Sequence, residues 1–298
     1  MDPLEAVGVN AAQIEFWNGP AGDKWARLAD VQDRMLESLG VAAMDACDVH
    51  PGHTVLDIGC GSGTTTFEIA RRVGSGGRVL GVDLSTPMLD VGRARLDALG
   101  VEGVTFENKD IASYQFEKNT FDRAFSRFGV MFFFDPVAAF ANIRSGLKSD
   151  GRLAFVCWQA PEKNPWLRIP FKVALQYIPA PPPVDPEAPG PLAFADPDRV
   201  RAILSEAGFG EITIEPLETL VPMDTDVSGS VKKLVELGPV SGLLTDVPDE
   251  VVADRERYWC GNFPISDRRR RHDGNRDMDR PRDISLICSA GHGYRRFG

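Results

Sequence analysis

From Val55 onward, short β-rich runs alternate with helical patterns, which predicts a parallel sheet covered by helices on both faces. The strands expected are Thr54 to Ile58, Arg78 to Val82, Val104 to Glu107, Asp122 to Ser126, Arg152 to Cys157 and Glu211 to Leu217. Two intervening helices announce their starts: Asp135 before Pro136, and Asp196 before Pro197, each set an N-cap acceptor beside a proline in the first turn. Gly208 closes the second. Upstream, Phe16 to Gly40 carries Trp25, Leu28, Val31, Met35, Leu36 and Leu39 near helical spacing, a helical appendage that precedes the first strand. The proline-rich stretch Ile178 to Pro191 cannot be a regular element, so 159–195 reads as a loop-and-helix insertion.

Chemistry concentrates at the first strand-to-helix junction, VLDIGCGSGTTT from Val55 to Thr66. Gly59, Gly61 and Gly63 leave backbone amides bare at the start of a helix near Thr64 to Val73, a geometry that favours an anionic ligand group. A dinucleotide fingerprint needs its third glycine at position 64, where this chain has threonine. Asp83 closes the second expected strand, where an acidic residue can accept both hydroxyls of a ribose; dinucleotide enzymes share that feature, so it does not discriminate alone.

The chain has 298 residues, 43% of them hydrophobic, enough for one large domain with embellishments. A formal net charge of −10 makes a phosphate-neutralising surface a poor expectation and points to a small-molecule partner, not nucleic acid. Cys47, Cys60, Cys157, Cys260 and Cys288 are scattered without a CxxC pair, which argues against a zinc site or a disulfide framework, and no other metal constellation is evident. The amino terminus does not read as a signal peptide, and no run approaches the roughly 18 to 20 apolar residues of a membrane span. A cytoplasmic location is expected. After Lys233 there is no lysine, while Arg268 to Arg296 holds nine arginines with little apolar periodicity. That segment is either a poorly ordered basic tail or the product of a shifted reading frame.

The spacing GxGxG, with Asp57 two positions before its first glycine, resembles motif I of the class I S-adenosylmethionine-dependent methyltransferases. Further matches follow in order: RVLGVDLS at Asp83, VTFENKDI at Asp110, FDRAFSRFGVMFF at the fourth strand and LKSDGRLAFVCW at the fifth. With FWNGPAGDKWA ahead of motif I, the whole resembles the branch that includes the ubiquinone and menaquinone biosynthesis C-methyltransferases. Ser149-Asp150 stand where proline and glycine are usual in that branch, a turn the pair can form. The resemblance implies an α/β, Rossmann-like, doubly wound and mostly parallel seven-stranded sheet with N-terminal lid helices and inserted cap segments. Only Ile284 to Cys288 is available for its last strand. The implied organisation is a lid over 1–50, a core over 51–222 with the 159–195 insertion, a helical cap over 223–265 and the atypical tail over 266–298.

The resemblance also assigns roles. Gly59, Gly61 and Gly63 let the methionine part of S-adenosylmethionine lie against the loop, and Asp57 helps orient its ammonium group. Asp83 accepts from the ribose; Asp110 accepts from the adenine amino group with Ile111 alongside; Ser126 and Arg127 offer a backbone carbonyl to the ammonium. Leu84 and Met88 pack either on the adenine or in the core. Trp25, Trp158 and Trp166 are substrate-pocket candidates equally compatible with plain packing, and Phe128 and Met131 are candidates from an aromatic cluster that is more often core than pocket. The implied reaction is methyl transfer to carbon, oxygen or nitrogen of a small-molecule or lipid-like acceptor, by in-line displacement that rests on positioning. No general base stands out: His50 and His53 precede the first strand at its far end, and His272 and His292 lie in the tail. Two other classes compete, a cofactor-binding protein without turnover and an NAD(P)-dependent oxidoreductase, the latter disfavoured by Thr64. A homodimer is left open.

Overall fold

A computed structural model describes residues 4–164, 168, 171–172, 174–175, 179–183 and 185–220, and the backbone of 282–291. Three helices come first, α1 (Ala11–Asn18), α2 (Pro20–Arg27) and α3 (Ala29–Cys47). The apolar spacing of Phe16 to Gly40 was helical as expected, but the chain breaks twice within it. Gly19 is extended and Pro20 restarts the helix at its first position; Leu28 breaks it again before Ala29.

Five parallel strands then form the sheet: β1 (Thr54–Ile58), β2 (Arg78–Asp83), β3 (Val104–Asn108), β4 (Phe121–Arg127) and β5 (Leu147–Trp158), in the spatial order β3-β2-β1-β4-β5. Between them run α4 (Thr64–Val73), α5 (Thr86–Leu99) and α6 (Pro136–Gly146), which is the alternating pattern of a Rossmann-like α/β fold. Because β2 and β3 lie to one side of β1 and β4 and β5 to the other, the strand order reverses between β1 and β4. Such a reversal opens a crevice at the carboxyl ends of the strands. The core is apolar and tightly filled: Leu56, Ile58, Phe125, Phe140, Ile143 and Phe155 are fully buried, and Phe140 stacks on Phe155 with ring centroids 5.5 Å apart.

The expected caps are present. Asp135 accepts from Ala138 N, and Asp196 accepts from Asp198 N at the start of α7 (Pro197–Glu206). Strand β5 starts earlier than Arg152. Phe121 pairs with Leu147 and Arg123 with Arg152, so the expected turn at Ser149-Asp150 is a bulge inside the strand that absorbs the extra residues. Two more strands follow α7, β6 (Gly210–Leu220) and β7 (Arg282–Gly291).

The described residues of Met1–Trp158, Pro186–Leu217 and Ser285–Gly298 form one compact unit, and those of Gln159–Asp185 and Glu218–Ile284 another. Within the second, a short 3-10 turn, Pro161–Lys163, is fastened by buried Asn164, whose Nδ2 donates to the carbonyls of Gln159 at 2.8 Å and Ala160 at 3.2 Å.

Candidate functional site

The glycine loop follows β1 and is pinned to its neighbour: Gly59 N and Cys60 N both donate to Val82 O, at 2.9 and 3.2 Å. Gly59, Gly61 and Gly63 all take left-handed φ values, 66°, 55° and 82°. A side chain would also collide at each. A Cβ on Gly59 would come 2.7 Å from Gly129 Cα, and one on Gly61 would come 2.7 Å from Met88 Cε. Gly59 is therefore demanded by both conformation and space, because the Gly129 backbone cannot move aside, whereas at Gly61 and Gly63 the obstacles are side chains and conformation makes the demand.

Around the loop stand three carboxylates with different surroundings. Asp57 is fully buried on β1; its Oδ2 accepts from Thr65 Oγ1 at 2.8 Å and Thr66 Oγ1 at 2.7 Å, while Oδ1 has no partner. Burial pushes this carboxyl up to about 6, against the pull of the two threonine hydroxyls. Asp83, half-buried at the end of β2, accepts from Gly61 N at 2.7 Å through Oδ2 and from Ser85 N at 2.8 Å through Oδ1. Burial raises it as well, opposed by those backbone donors. Asp110, after β3, accepts from Ala112 N at 3.0 Å and from Asn10 Nδ2 at 2.7 Å.

Other expected positions are drawn to the same edge. Ser126 is buried at the end of β4, where its hydroxyl donates to Ile58 O at 2.7 Å and accepts from Gly129 N at 3.1 Å, tying the ends of β1 and β4 together. Arg127 donates to Asp33 of α3 at 2.9 Å. Leu84 is half-buried; its carbonyl accepts from Asn108 Nδ2 at 2.9 Å, while Met88 and Ile111 are buried. Phe128 has a left-handed φ of 62° and stacks on Trp158 at 4.1 Å between centroids; both are largely buried. Met131, 1% exposed, is a core residue in this structure. Trp25 is half-buried and meets Trp17 edge to face at 5.8 Å. Trp166 lies outside the described residues.

Several residues of this site carried no sequence signal. Asn10, Asp33 and Arg95 lie outside the motifs, while Trp17, Asn18 and Asn108 lie within them without a role that spacing could assign, and only the fold shows what each meets. Asn18 donates to Leu84 O at 2.9 Å and accepts from Thr86 N at 2.9 Å, and Trp17 O accepts from Ser85 Oγ at 2.8 Å. Asp33 accepts from Thr64 Oγ1 at 2.5 Å and from Arg95 Nη1 at 3.1 Å, and the same Arg95 nitrogen donates to Ser62 O at 3.0 Å inside the loop. Thr64, the residue that departs from the dinucleotide pattern, thus anchors α3 to α4.

The opposite edge is built differently. His50 pairs with Asp48 at 3.0 Å and His53 Nδ1 accepts from His50 N at 3.1 Å, both just ahead of β1 and so at the far end of the strand from the loop. His272 and His292 lie outside the described residues. Among the described residues no group of three His, Cys, Asp or Glu side chains is placed to hold a metal, and no helix is long and apolar enough to cross a membrane.

Residues 49–165 match the family model described as a methyltransferase domain. The chain is 33% identical over 189 residues to nocamycin O-methyltransferase of Saccharothrix syringae, a match spanning 62% of this chain and 65% of that protein. It is 37% identical over 122 residues to the ubiquinone/menaquinone biosynthesis C-methyltransferase UbiE of Cellvibrio japonicus, spanning 41% of this chain and 49% of that one. The chain therefore spans between about half and two thirds of the length of these relatives. In fold it is similar to phosphoethanolamine N-methyltransferase 2 of Haemonchus contortus, solved with S-adenosyl-L-methionine: TM-score 0.58, 18% identity, 96% of this chain and 60% of that one.

Proposed function

We propose that this chain, whose residues 49–165 match a methyltransferase domain, is a class I S-adenosylmethionine-dependent methyltransferase and transfers the methyl group of that cofactor to a small-molecule acceptor. The observation that carries the reading is the Gly61–Asp83 contact: a half-buried carboxylate braces a loop whose three glycines all take left-handed φ values, and keeps lone pairs for further donors. Two ribose hydroxyls are such donors. The unpartnered Asp57 Oδ1 adds a buried acceptor, and a ligand ammonium would neutralise the charge that burial disfavours.

Bound S-adenosylmethionine supplies a methyl group on a positively charged sulfur, open to in-line displacement. The chain's own part is to position and to exclude water. Asp83 holds the ribose edge and Asp110 the adenine edge; Ser126 keeps the ends of β1 and β4 in register; Asp57 orders the first turn of α4 through Thr65 and Thr66. Helices α1 to α3 act as a lid, with Trp17, Trp25 and Phe132 in edge-to-face contact at 5.8 and 5.1 Å. That aromatic group favours an apolar, ring-bearing acceptor whose carbon, oxygen or nitrogen is already nucleophilic. The names of the relatives, an O-methyltransferase and a C-methyltransferase of ubiquinone and menaquinone biosynthesis, support oxygen or carbon as the accepting atom. Cys47, Cys60 and Cys157 are buried thiols, in keeping with a reducing cytoplasm.

We also infer that the sheet extends to seven strands in the order β3-β2-β1-β4-β5-β7-β6. The antiparallel register of β5 with β7, from Arg152 opposite Gly291 to Trp158 opposite Ser285, supports this and supports a native tail over a shifted frame. Calorimetry tests the main reading: the full chain should bind S-adenosylhomocysteine and not NAD, and transfer labelled methyl to a fraction of a cell extract. Failure to bind S-adenosylhomocysteine would overturn it; binding without any labelled product would favour a non-catalytic binding protein.

A further inference from the structure

Asn10 stands at the N-cap of α1, where an asparagine oxygen ordinarily accepts a hydrogen bond from the first turn of the helix. It makes no such bond. Instead Nδ2 donates to Asp110 Oδ2 at 2.7 Å. That contact fixes the amide's orientation, because the reversed amide would set a carbonyl oxygen against a carboxylate. Asn10 Oδ1 is thereby left without a donor in a residue only 3% exposed. One turn on, Gln13 buries its Oε1 in the same condition. Buried acceptors are costly to leave unmet, so their concentration on one short helix beside Asp110 points to hydrogens supplied from outside the chain.

Resting on the reading above, in which Asp110 accepts from the adenine amino group, we propose that Asn10 is a second reader of that same group. An exocyclic amine carries two N–H bonds. Asp110 Oδ2 retains a lone pair after the Asn10 contact and takes one of them; Asn10 Oδ1 takes the other. The Asn10–Asp110 contact holds the two acceptors on one side-chain pair, within the reach of one amine's two N–H bonds. A 6-oxopurine would present a carbonyl to both acceptors and leave them unpaired, so the pair selects 6-aminopurine nucleosides and rejects their oxo counterparts. The lid helix α1 therefore recognises the cofactor's base as well as covering it.

The test compares two ligands that differ in the 6-amino group and the N1 proton that changes with it, S-adenosylhomocysteine and S-inosylhomocysteine, by calorimetry on the full chain; the shift of their ratio between wild type and Asn10 variants isolates the amine. The wild type should prefer the adenosyl compound by about 100-fold or more. Asn10→Ala should lose about 10-fold in adenosyl affinity, with inosyl affinity unchanged or improved, so that the ratio shrinks by about 10-fold. Asn10→Ser, whose hydroxyl can cap α1 by itself, should show the same smaller ratio and carries the test if the alanine variant does not fold. An unchanged ratio in the folded variants, or equal weakening of both ligands, would overturn the inference and leave Asn10 as a structural tie. A wild type that binds neither ligand would overturn the methyl-donor reading and this inference with it.

Discussion

At the amino end of the sheet, Asp122 pairs with Lys148 at 2.7 Å and accepts from Thr54 N at 2.8 Å, and Asp48 pairs with Arg123 at 3.3 Å and with His50 at 3.0 Å. Desolvation pushes both carboxyls up, but it is outweighed, by Lys148 and the Thr54 N–H for Asp122 and by His50 and Arg123 for Asp48, so both sit below the usual range. At the carboxyl end, Asp57 and Asp83 are held above it, because burial outweighs the hydroxyls and backbone amides that face them. Paired carboxylates add to the stability of the fold on its own. Those short of a cation subtract from it, and the deficit is what a ligand with complementary donors restores.

The sharpest break in that comparison should come at Asp83. Asp83→Ala removes the acceptor for two backbone donors and for the ribose, so S-adenosylhomocysteine affinity should fall by about 100-fold or more, roughly 3 kcal/mol, in calorimetry. Wild-type affinity in this variant would show that the ribose binds elsewhere. Next is Asp57→Asn, which should weaken ligand binding by about 10-fold yet stabilise the ligand-free protein at pH 7.5 by up to about 3 kcal/mol. The sign follows from the proton. With a folded value of about 6 against an ordinary 3.8, the native carboxyl holds a proton that the unfolded chain has released. Its contribution is therefore full below pH 4 and is lost as the pH rises through 6. In urea titrations the gain of the variant over wild type should open between pH 4 and 6; a gap that stays flat would mean that the buried charge is not the source.

The other edge should respond in the opposite sense and by less. Asp122→Ala should cost about 1 to 2 kcal/mol of stability at pH 7 while S-adenosylhomocysteine affinity stays within about twofold. Because its folded value is depressed, the Asp122 contribution is present above the unfolded value near 3.8 and lost as the pH falls below it, so variant and wild type should converge in acid. Asp48→Asn, at a half-exposed pair, should change stability by no more than about 0.5 kcal/mol in the same titrations. A large change at Asp48 would erase the contrast between a solvated edge and a buried one.

Much of the fold was written in local pattern. Short runs alternating with helical patterns located β1 to β5, and Asp135-Pro136 and Asp196-Pro197 located their helices, because an N-cap and a first-turn proline act within one turn of chain. The start of β5 was missed, since Ser149, Asp150 and Gly151 have turn chemistry and only pairing with β4 makes them part of a strand. In the candidate site, Asp57, Asp83, Asp110 and the glycines could be singled out because each lies at or just past the end of an expected strand. Asn10, Asp33 and Arg95 could not. Asn10 meets a partner 100 residues away and Asp33 one 94 residues away, and spacing along the chain reveals which face a residue shares, not which distant side chain it touches.

Gly59 and Gly129 meet backbone to backbone: a Cβ on either would fall 2.7 or 2.8 Å from the other's Cα. Two stretches of sequence seventy positions apart are thus a single target for mutation. No exchange of size between them can compensate, as a large and a small residue do in a core, because neither has volume to give back. A library that randomises the loop after β4 should spare Gly129, since varying it spends members on chains whose glycine loop has been pushed out of place.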